Sequence, residues 1–295
     1  MTKKLPKVSI VIPSYNQVDY IEETFKSIFD QNYPNLEVLV IDGGSTDGSV
    51  EVIKKYAEQI DYWVSEPDKG QSDAINKGLE KATGDWLAFM NSDDGYWDGA
   101  LTKIFDQDLN GIDFIYSKQG YVGNDFESAK LRVSEHIDPL STKNLLKFFY
   151  NLNYIIPSQS VFISRALYEK VGGVREDLHY CMDMEWYVRI SLEKPRYYCA
   201  DFPTYFYRVG DHTKTASMQP KMYAEAKTIA RSYYDRLPLS ETRDLKRLIA
   251  YSDGFKELSK KEHIKVKHLL ELLGKNPQAA LRDRRFLGML KRNVF

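Results

Sequence analysis

Four short apolar runs, separated by three helix-length segments, occupy the first 90 residues of this chain. The runs are rich in Val, Ile and Leu, and turn-forming residues lie close to their ends. Strands are expected at 8–13, 36–41, 62–65 and 86–90, and helices at 18–30, 49–59 and 72–82. Strands that alternate with helices in this way build a parallel sheet with helices on both faces. The sequence therefore predicts an α/β fold with a Rossmann-like, doubly wound sheet.

The composition argues against several classes of protein. A formal net charge of -1 over 295 residues gives no indication of nucleic-acid binding. Cys181 and Cys199 are too few for a disulfide framework, so a reduced, cytoplasmic setting is expected. Residues 1–6 lack the apolar core of a signal peptide. No apolar run reaches the roughly 18 residues that a membrane-spanning helix needs.

Polar side chains follow the strands at the ends where open α/β sheets bind ligands. Asn91, Asp93 and Asp94 come directly after the fourth strand, and Asp42 closes the second. Adjacent carboxylates repel unless a cation joins them, and their hard oxygens suit Mg²⁺ or Mn²⁺, which in turn suit a diphosphate. A solvated acidic turn is the alternative. Asp42 is either an acceptor for a nucleoside, which its strand-end position favours, or part of the glycine-rich turn that follows it.

Four motifs in the first 94 residues resemble those of family 2 glycosyltransferases of the GT-A fold. They are Ile-Val-Ile-Pro-Ser-Tyr-Asn at 10–16, Val-Ile-Asp-Gly-Gly-Ser-Thr-Asp-Gly-Ser at 40–49, Glu-Pro-Asp-Lys-Gly-Gln-Ser-Asp-Ala-Ile-Asn-Lys-Gly at 66–78 and Asn-Ser-Asp-Asp at 91–94. Their order and spacing match as well as their content, and a looser resemblance continues to about residue 217. The resemblance implies a mixed GT-A sheet and inverting transfer of a sugar from a nucleotide sugar, usually a UDP-sugar, with a divalent metal.

The same resemblance implies a donor site built from the first half of the chain. Its nucleotide contacts are Pro13, Tyr15 and Asn16 for the nucleoside, Asp42 for the base or ribose, and Asp68 and Lys69 for the base or diphosphate. Asp93 is the implied metal ligand, with Ser92 and Asp94 beside it. Asn91 replaces the first Asp of the family's Asp-x-Asp motif, which removes one charge and leaves a hydrogen bond to the ribose as its expected contact.

Inverting transfer needs a general base that takes the proton of the acceptor hydroxyl. In the family an Asp or Glu serves as this base. Asp183 is the best match to its place in the sequence, with Glu185 as the reserve. Both carboxylates would also stabilise the N-terminus of a helix at 186–192, so a helix cap is the alternative. Arg189 is expected to pair locally. The Gln-x-x-Arg-Trp pattern of processive synthases does not follow it, which indicates that one sugar is added.

Three further residues have two interpretations each. Gln159 is a sugar contact or a turn amide. In the family a histidine near position 212 often reaches the metal or the diphosphate, which makes His212 a candidate metal ligand and Lys214 a candidate donor contact. The alternative for this pair is a solvated polar loop.

From residue 219 onward a helical extension is expected. Residues 260–295 hold ten Lys or Arg against three Asp or Glu, interleaved with apolar residues. A basic amphipathic tail suits peripheral contact with an anionic bilayer, whereas a packing helix or homodimer contact with a solvated basic face is the alternative. The predicted domains are a catalytic domain, 1–218, with a nucleotide-binding half (5–118) and an acceptor half (119–218), and the extension, 219–295.

These features together predict a metal-assisted, inverting glycosyltransferase of polysaccharide or cell-envelope biosynthesis. It would move one sugar from a UDP-sugar to a saccharide or lipid-linked acceptor, at the inner face of the membrane. A nucleotidyltransferase is a rival, but it would need a glycine-rich basic loop after the first strand, and residues 14–19 provide none. A non-catalytic subunit that docks through its basic tail is the second rival. Such a subunit has no need for Asp42, Asp93 and Asp183 together.

Overall fold

The computed structural model describes residues 5–122, 132–133, 140–151, 156–208, 219–260 and 264–294. The strands are β1 (Val8–Ser14), β2 (Leu36–Asp42), β3 (Tyr62–Ser65), β4 (Trp86–Phe89), β5 (Gly95–Tyr96), β6 (Phe114–Val122), β7 (Arg132–Val133), β8 (Phe162–Ser164) and β9 (Tyr197–Arg208). The helices are α1 (Ile21–Phe29), α2 (Ser49–Lys55), α3 (Gln71–Lys81), α4 (Ala100–Phe105), α5 (Thr142–Asn151), α6 (Arg165–Val171), α7 (Met182–Leu192), α8 (Gln219–Ser232), α9 (Leu239–Ser259), α10 (Val266–Lys275), α11 (Pro277–Arg282) and α12 (Arg284–Val294).

One mixed sheet joins all the described strands. Its order is β3-β2-β1-β4-β8-β6-β9-β5, with β7 paired to β6. The block from β3 to β4 is parallel, β8 is antiparallel to both of its neighbours, and β6 and β9 are parallel to each other. The predicted α/β architecture with a mixed sheet is therefore confirmed.

Burial explains why the first strands are so apolar. Every residue of β1 is buried, as expected for a parallel strand whose two faces are both covered. In α1, Ile21, Phe25 and Ile28 are buried at helical spacing and join the same core. Three predicted boundaries are wrong. The first helix begins at Ile21 instead of residue 18. The second helix ends at Lys55 instead of residue 59, because Tyr56 leaves helical geometry at φ -100° and ψ 5°, and α7 begins four residues before the predicted 186.

The strand β6 extends over nine residues, Phe114–Val122. It pairs with β9 from Phe114 opposite Tyr197 to Val122 opposite Arg208, with register shifts between Ser117 and Gln119. Its last part also pairs antiparallel with β7. A partner strand 80 residues further along the chain sets this length, so local sequence patterns could not show it.

Contacts divide the chain into two compact units, residues 1–140 with 156–225 and residues 141–155 with 226–295. The first unit contains the sheet. In the second, α5 packs against α9, so the segment 141–155, predicted within the catalytic domain, groups with the C-terminal helices. Tyr251, Phe255, Leu269 and Phe286 belong to the separate core of this unit.

The apolar side of α12 is used for packing. Phe286 is fully buried, and Met289 and Leu290 pack against the same core. The cations Lys265, Lys267, Lys275, Lys291 and Arg292 lie exposed on the second unit. Across the described ranges, no helix combines the length and apolar character needed to cross a bilayer.

At the N-terminal ends of β1 and β2, the Glu37 carboxylate lies almost buried in a hydrogen-bond network. Lys7 Nζ (2.6 Å) and Thr83 Oγ1 (2.5 Å) donate to Oε1, and Ser9 Oγ (2.5 Å) and the Thr83 amide (2.7 Å) donate to Oε2. Burial alone would raise the pKa of Glu37, but these donors outweigh it and lower the pKa to about 2. A carboxylate with a lowered folded pKa stabilises the fold above its unfolded pKa, and that stabilisation is lost as the pH falls toward 2.

We expect Glu37→Gln to lower the free energy of unfolding by about 2 kcal/mol at pH 7, a value that allows for the partial exposure of Lys7. At pH 3 the loss should be less than half as large, because the unfolded chain is then protonated at Glu37. Urea unfolding at both pH values measures the difference, with the exposed Glu58→Gln as the matched control. An equal loss at pH 7 and pH 3 would contradict the assignment.

Candidate active site

Three loops that carry predicted site residues follow strands of the parallel block. The strands β2 and β4 flank β1, and Ser14 lies opposite Asp42 in the register. The Met90 amide donates to the Val11 carbonyl (2.9 Å), which extends the pairing to the residue before Asn91. The predicted meeting of these strand ends at one edge of the sheet is therefore confirmed.

The loop after β1 is joined to the loop after β2 by hydrogen bonds. The Asn16 amide donates to Ser45 Oγ (2.8 Å), and Asn16 Oδ1 accepts from the Thr46 amide (3.0 Å). Pro13 is buried within β1, whereas the Tyr15 side chain is 62% exposed. The two loops therefore present an exposed aromatic ring at the carboxyl edge of the sheet.

Asp42 is fully buried, and its carboxylate holds the glycine-rich turn. Oδ2 accepts from the Gly44 amide (3.1 Å), the Ser45 amide (2.8 Å) and Ser65 Oγ (2.6 Å), and Oδ1 accepts from Ser45 Oγ (2.5 Å). The turn interpretation of Asp42 is thus realised in the structure. Contact with a nucleoside stays a prediction.

The loop after β3 brings Asp68 against the loop after β2. A Cβ at Gly43 would lie 2.8 Å from Asp68 Oδ2, so a larger residue there would have to displace the Asp68 carboxylate. Lys69 is exposed, with Nζ 3.5 Å from the Glu176 carboxylate. A small cleft is lined on one side by residues 69–72. Its other side is lined by Glu176, Leu178, His179 and Met182. This cleft therefore connects the Asp68–Lys69 loop to the start of α7.

The two carboxylates of the 91–94 turn have different surroundings. Asp94 is 1% exposed; its Oδ1 accepts from the Arg208 amide (3.0 Å), and its own amide donates to the Asn91 carbonyl (3.2 Å). Asp93 is half-buried, and Ser92 is buried. Burial raises the pKa of both carboxyls, and the charge of Asp93 raises that of Asp94 further. Asp93 is thus the carboxylate more accessible to a ligand, while Asp94 is tied to β9.

The side chain of Asn91 links this turn to the cleft. Asn91 Oδ1 accepts from Gln71 Nε2 (2.8 Å), and Nδ2 donates weakly to Asp94 Oδ2 (3.4 Å). Gln71 itself lines the cleft. Gln71 belongs to the motif at 66–78, but the sequence analysis did not identify it as a site residue.

Arg208 was not predicted as a site residue. It joins the turn of residues 91–94, the acidic turn, to the start of the first helix. Its Nε donates to the Asp93 carbonyl (3.0 Å), its Nη2 pairs with Glu23 Oε2 (2.5 Å), and its guanidinium lies 4.7 Å from the centre of the Tyr20 ring. The Arg208 side chain is 6% exposed. The sequence signal that could have identified Arg208 is its place at the end of a strand rich in aromatic residues. Arginine is rarely buried unless it is paired, so a buried arginine there would need a partner.

The carboxylate oxygens of the acidic turn are the kind of ligand that a divalent cation such as Mg²⁺ prefers. Mg²⁺ and similar ions take one or two carboxylates from a protein and their remaining ligands from water and substrate phosphates. Within the described ranges, no three His, Cys, Asp or Glu side chains form a metal site. His212 and Lys214 lie outside the described residues.

Asp183 stands in the first turn of α7 and is half-buried. The Ser158 hydroxyl donates to Asp183 Oδ2, and the Met184 amide donates to Oδ1 (2.7 Å). These two bonds fix the direction of the carboxylate. Gln159, beside Ser158, is buried in the 3₁₀ turn Ser158–Ser160.

Glu185 has a different environment, although it lies only two residues further on. Its side chain is fully buried and pairs with Arg189 Nε at 3.0 Å through both oxygens. Arg189 also donates to the carbonyls of Val171 and Gly173 (both 2.6 Å). The predicted local pairing of Arg189 is confirmed, and this enclosed ion pair argues against Glu185 as the reserve base.

The chain is similar in sequence to proteins named as glycosyltransferases. An uncharacterized glycosyltransferase of Mycobacterium tuberculosis is 33% identical over 188 residues, which cover 63% of this chain and 70% of the relative. A Campylobacter jejuni protein, GalNAc(5)-diNAcBac-PP-undecaprenol beta-1,3-glucosyltransferase, is 26% identical over 258 residues, covering 83% and 80% of the two chains.

Solved structures share the GT-A-like fold. S. aureus TarS 1-349 in complex with UDP-GlcNAc superposes with a TM-score of 0.62 at 21% identity, over 86% of this chain and 73% of TarS. A Pyrobaculum calidifontis mannosyltransferase in complex with GDP-Man and Mn²⁺ gives a TM-score of 0.59 at 16% identity, over 98% and 84% of the chains.

The family description Glycosyl transferase family 2 matches residues 9–172, more than half of the chain. This span contains the strand-end loops and the acidic turn described above. The protein is therefore a transferase enzyme, and the chain belongs to glycosyl transferase family 2.

Proposed function

We propose that the enzyme transfers one sugar, with inversion and with help from a divalent metal, from a UDP-sugar to a hydroxyl of a saccharide or lipid-linked acceptor. One observation carries the proposal. Within the first unit, Asp93 is half-buried at the strand-end edge, and Asp183 is oriented by Ser158 at the start of α7. Two carboxylates in separate environments can take two roles, one toward the leaving diphosphate and one toward the acceptor.

The nucleoside is proposed to bind where the loops after β1 and β2 meet. The exposed Tyr15 ring offers a surface on which a base can stack. Ser14 Oγ, at the end of β1, is buried and has no hydrogen-bond partner among the described residues. A buried hydroxyl of this kind is costly unless a ligand or water completes its hydrogen bonding. The UDP-GlcNAc bound to TarS supports a UDP-sugar as the donor.

The diphosphate is proposed to lie beside the acidic turn. Asp93, with Asp94 behind it, would hold a divalent cation, and such an ion stabilises the charge that builds on the departing diphosphate. Arg208 keeps the turn in place through the Asp93 carbonyl and the Asp94 carboxylate. The Mn²⁺ complex of the mannosyltransferase supports metal assistance. His212 and Lys214 remain predicted contacts of the metal or the diphosphate.

Asp183 is proposed to take the proton of the acceptor hydroxyl. Its carboxylate already has a fixed direction, because Ser158 holds Oδ2 and the Met184 amide holds Oδ1. A base that is held in place does not have to be ordered when the acceptor arrives. Attack opposite the leaving group gives a β-linked product from an α-linked donor.

A lipid-linked acceptor is proposed for two reasons. The name of the Campylobacter relative states an undecaprenol-linked substrate. The exposed cations of residues 265–292 would be attracted to an anionic bilayer, and the exposed side chains of Leu270, Leu281 and Leu287 would add apolar contacts with it.

Release of UDP tests the proposal. We expect wild type to release UDP from one donor of a UDP-sugar panel with Mn²⁺ or Mg²⁺, and EDTA to lower that rate more than about 100-fold, because the diphosphate is a poor leaving group without a cation. Full activity in EDTA would contradict metal assistance, and failure to bind UDP would contradict the nucleotide site. A second arm compares a free saccharide with a polyprenyl-diphosphate-linked saccharide in anionic vesicles. A preference for the free acceptor that persists at low salt would contradict the lipid-linked acceptor.

A further inference from the structure

The helix that carries Asp183 begins without a cap of its own. Cys181 is the N-cap residue of α7, and its side chain makes no capping hydrogen bond. The first amides of a helix have no partner inside the helix, and neither do the amides of the turn that leads into it. These groups need acceptors from elsewhere in the molecule when they are shielded from water.

One carboxylate from α8 supplies acceptors for the amides of the turn that leads into the helix. Glu225 Oε2 accepts from the His179 amide (2.9 Å), and Oε1 accepts from the amides of Tyr180 (2.8 Å) and Cys181 (2.7 Å). Hydrogen bonds to an ionised acceptor are about twice as strong as neutral ones. A negative charge at the N-terminus of α7 is also favoured by the helix dipole.

A second contact joins the same two segments. Cys181 Sγ lies 3.7 Å from the Met222 carbonyl, and the Cys181 side chain is almost completely buried. Burial raises the pKa of the Cys181 thiol, and the charges of Asp183 and Glu225 raise it further. The charges of both carboxylates therefore act on the same thiol.

We propose that Glu225 is a positioning residue, whose carboxylate fixes the turn 179–181 and thereby the placement of Asp183 toward the acceptor. This inference rests on the proposed function, because it takes Asp183 as the base. Asp183 follows Cys181 by two residues, so its backbone position depends on the turn that Glu225 holds. Ser158 orients the carboxylate itself. The turn therefore sets the backbone position of Asp183, and the Ser158 hydroxyl sets the direction of its carboxylate.

The alternative is that Glu225 only stabilises the fold. A purely structural role predicts a lower melting temperature with an unchanged turnover number at temperatures where the variant is folded. A positioning role predicts a loss of turnover with nucleotide binding intact, because the nucleotide site is built from the loops after β1, β2 and β3. A displacement of about 1 Å in a catalytic group can cost about 100-fold in rate.

The test compares Glu225→Ala and Glu225→Gln with wild type and with the exposed control Glu58→Gln. For Glu225→Ala we expect kcat to fall about 10- to 100-fold, with the donor KM and the Kd of UDP within about twofold. Glu225→Gln should recover part of the rate, because its single amide oxygen can still accept from some of the three amides. An unchanged kcat in folded Glu225→Ala would overturn the inference, as would equal loss in the Ala and Gln variants.

A thiol measurement keeps the test independent of activity. In a Cys199→Ser background, iodoacetamide should modify Cys181 at least about tenfold faster in Glu225→Ala than in wild type, because a buried thiol is inert until the turn opens. Unchanged labelling would overturn the inference even if no donor is turned over. Failure of wild type to bind UDP would instead count against the proposed function, so the two failures are distinguishable.

Discussion

Asp183→Asn is expected to lower the rate of sugar transfer by about 10²- to 10⁴-fold, the usual contribution of a general base. Asparagine has nearly the same shape: its one side-chain oxygen can still accept from the Met184 amide, and its NH2 group can donate to the Ser158 hydroxyl in place of the second carboxylate oxygen. It cannot take a proton from an acceptor hydroxyl. The Kd of UDP should therefore stay within about twofold of wild type, because the nucleotide site does not contain Asp183.

The measurement is transfer to an acceptor, followed as UDP release, beside calorimetric binding of UDP. The matched control is Glu185→Gln, the same change two residues along the helix. Glu185 is enclosed in its ion pair with Arg189, so this variant should lose stability and retain turnover while folded. A normal rate in Asp183→Asn, together with a lost rate in folded Glu185→Gln, would transfer the role of base to Glu185.

The first half of the fold could be predicted from sequence because its determinants are local. Each strand of the block β1 to β4 is a short apolar run, and each following helix carries its own apolar face. The glycine, serine and proline residues that end these elements are local signals too. Their alternation leaves few topologies, and the polar residues at the strand ends then fall on one edge.

The second half depends on pairings that local patterns cannot show. The order β8-β6-β9-β5 places strands side by side that lie far apart in the chain. The strand β5 has only two residues, Gly95 and Tyr96, and exists because β9 lies beside it. The length of β6 likewise follows from its partner.

The candidate site, like the fold, could be predicted only where local sequence motifs identify its residues. The acidic turn and Asp183 were found because motifs with fixed spacing carry them. Arg208 and Glu225 were missed because the side chain of each acts on backbone groups far away in sequence. The separation is 115 residues between Arg208 Nε and the Asp93 carbonyl, and 44 residues between Glu225 and the Cys181 amide. A lone arginine or glutamate has no spacing pattern. Only the folded chain shows which amides and carbonyls it reaches.

The second prediction concerns the acidic turn and distinguishes the roles of its neighbouring residues Asp93 and Asp94. Asp93→Asn is expected to lower metal-dependent turnover by at least about 100-fold, because the accessible carboxylate that would hold the cation is gone. Asp94→Asn should retain at least a tenth of the activity. Its remaining side-chain oxygen can still accept from the Arg208 amide, and that bond is its main role in the turn.

Thermal unfolding gives a readout that does not depend on catalysis. Wild type with the Mn²⁺–UDP complex at 100 times its Kd should gain about 2.7 kcal/mol of stability, and Asp93→Asn should lose most of that gain. Without ligands, Asp93→Asn should melt at the same temperature as wild type or higher, because the variant removes one of two adjacent carboxylates whose charges burial disfavours. If Asp94→Asn lost the metal response and Asp93→Asn kept it, Asp94 would be the residue that holds the ion.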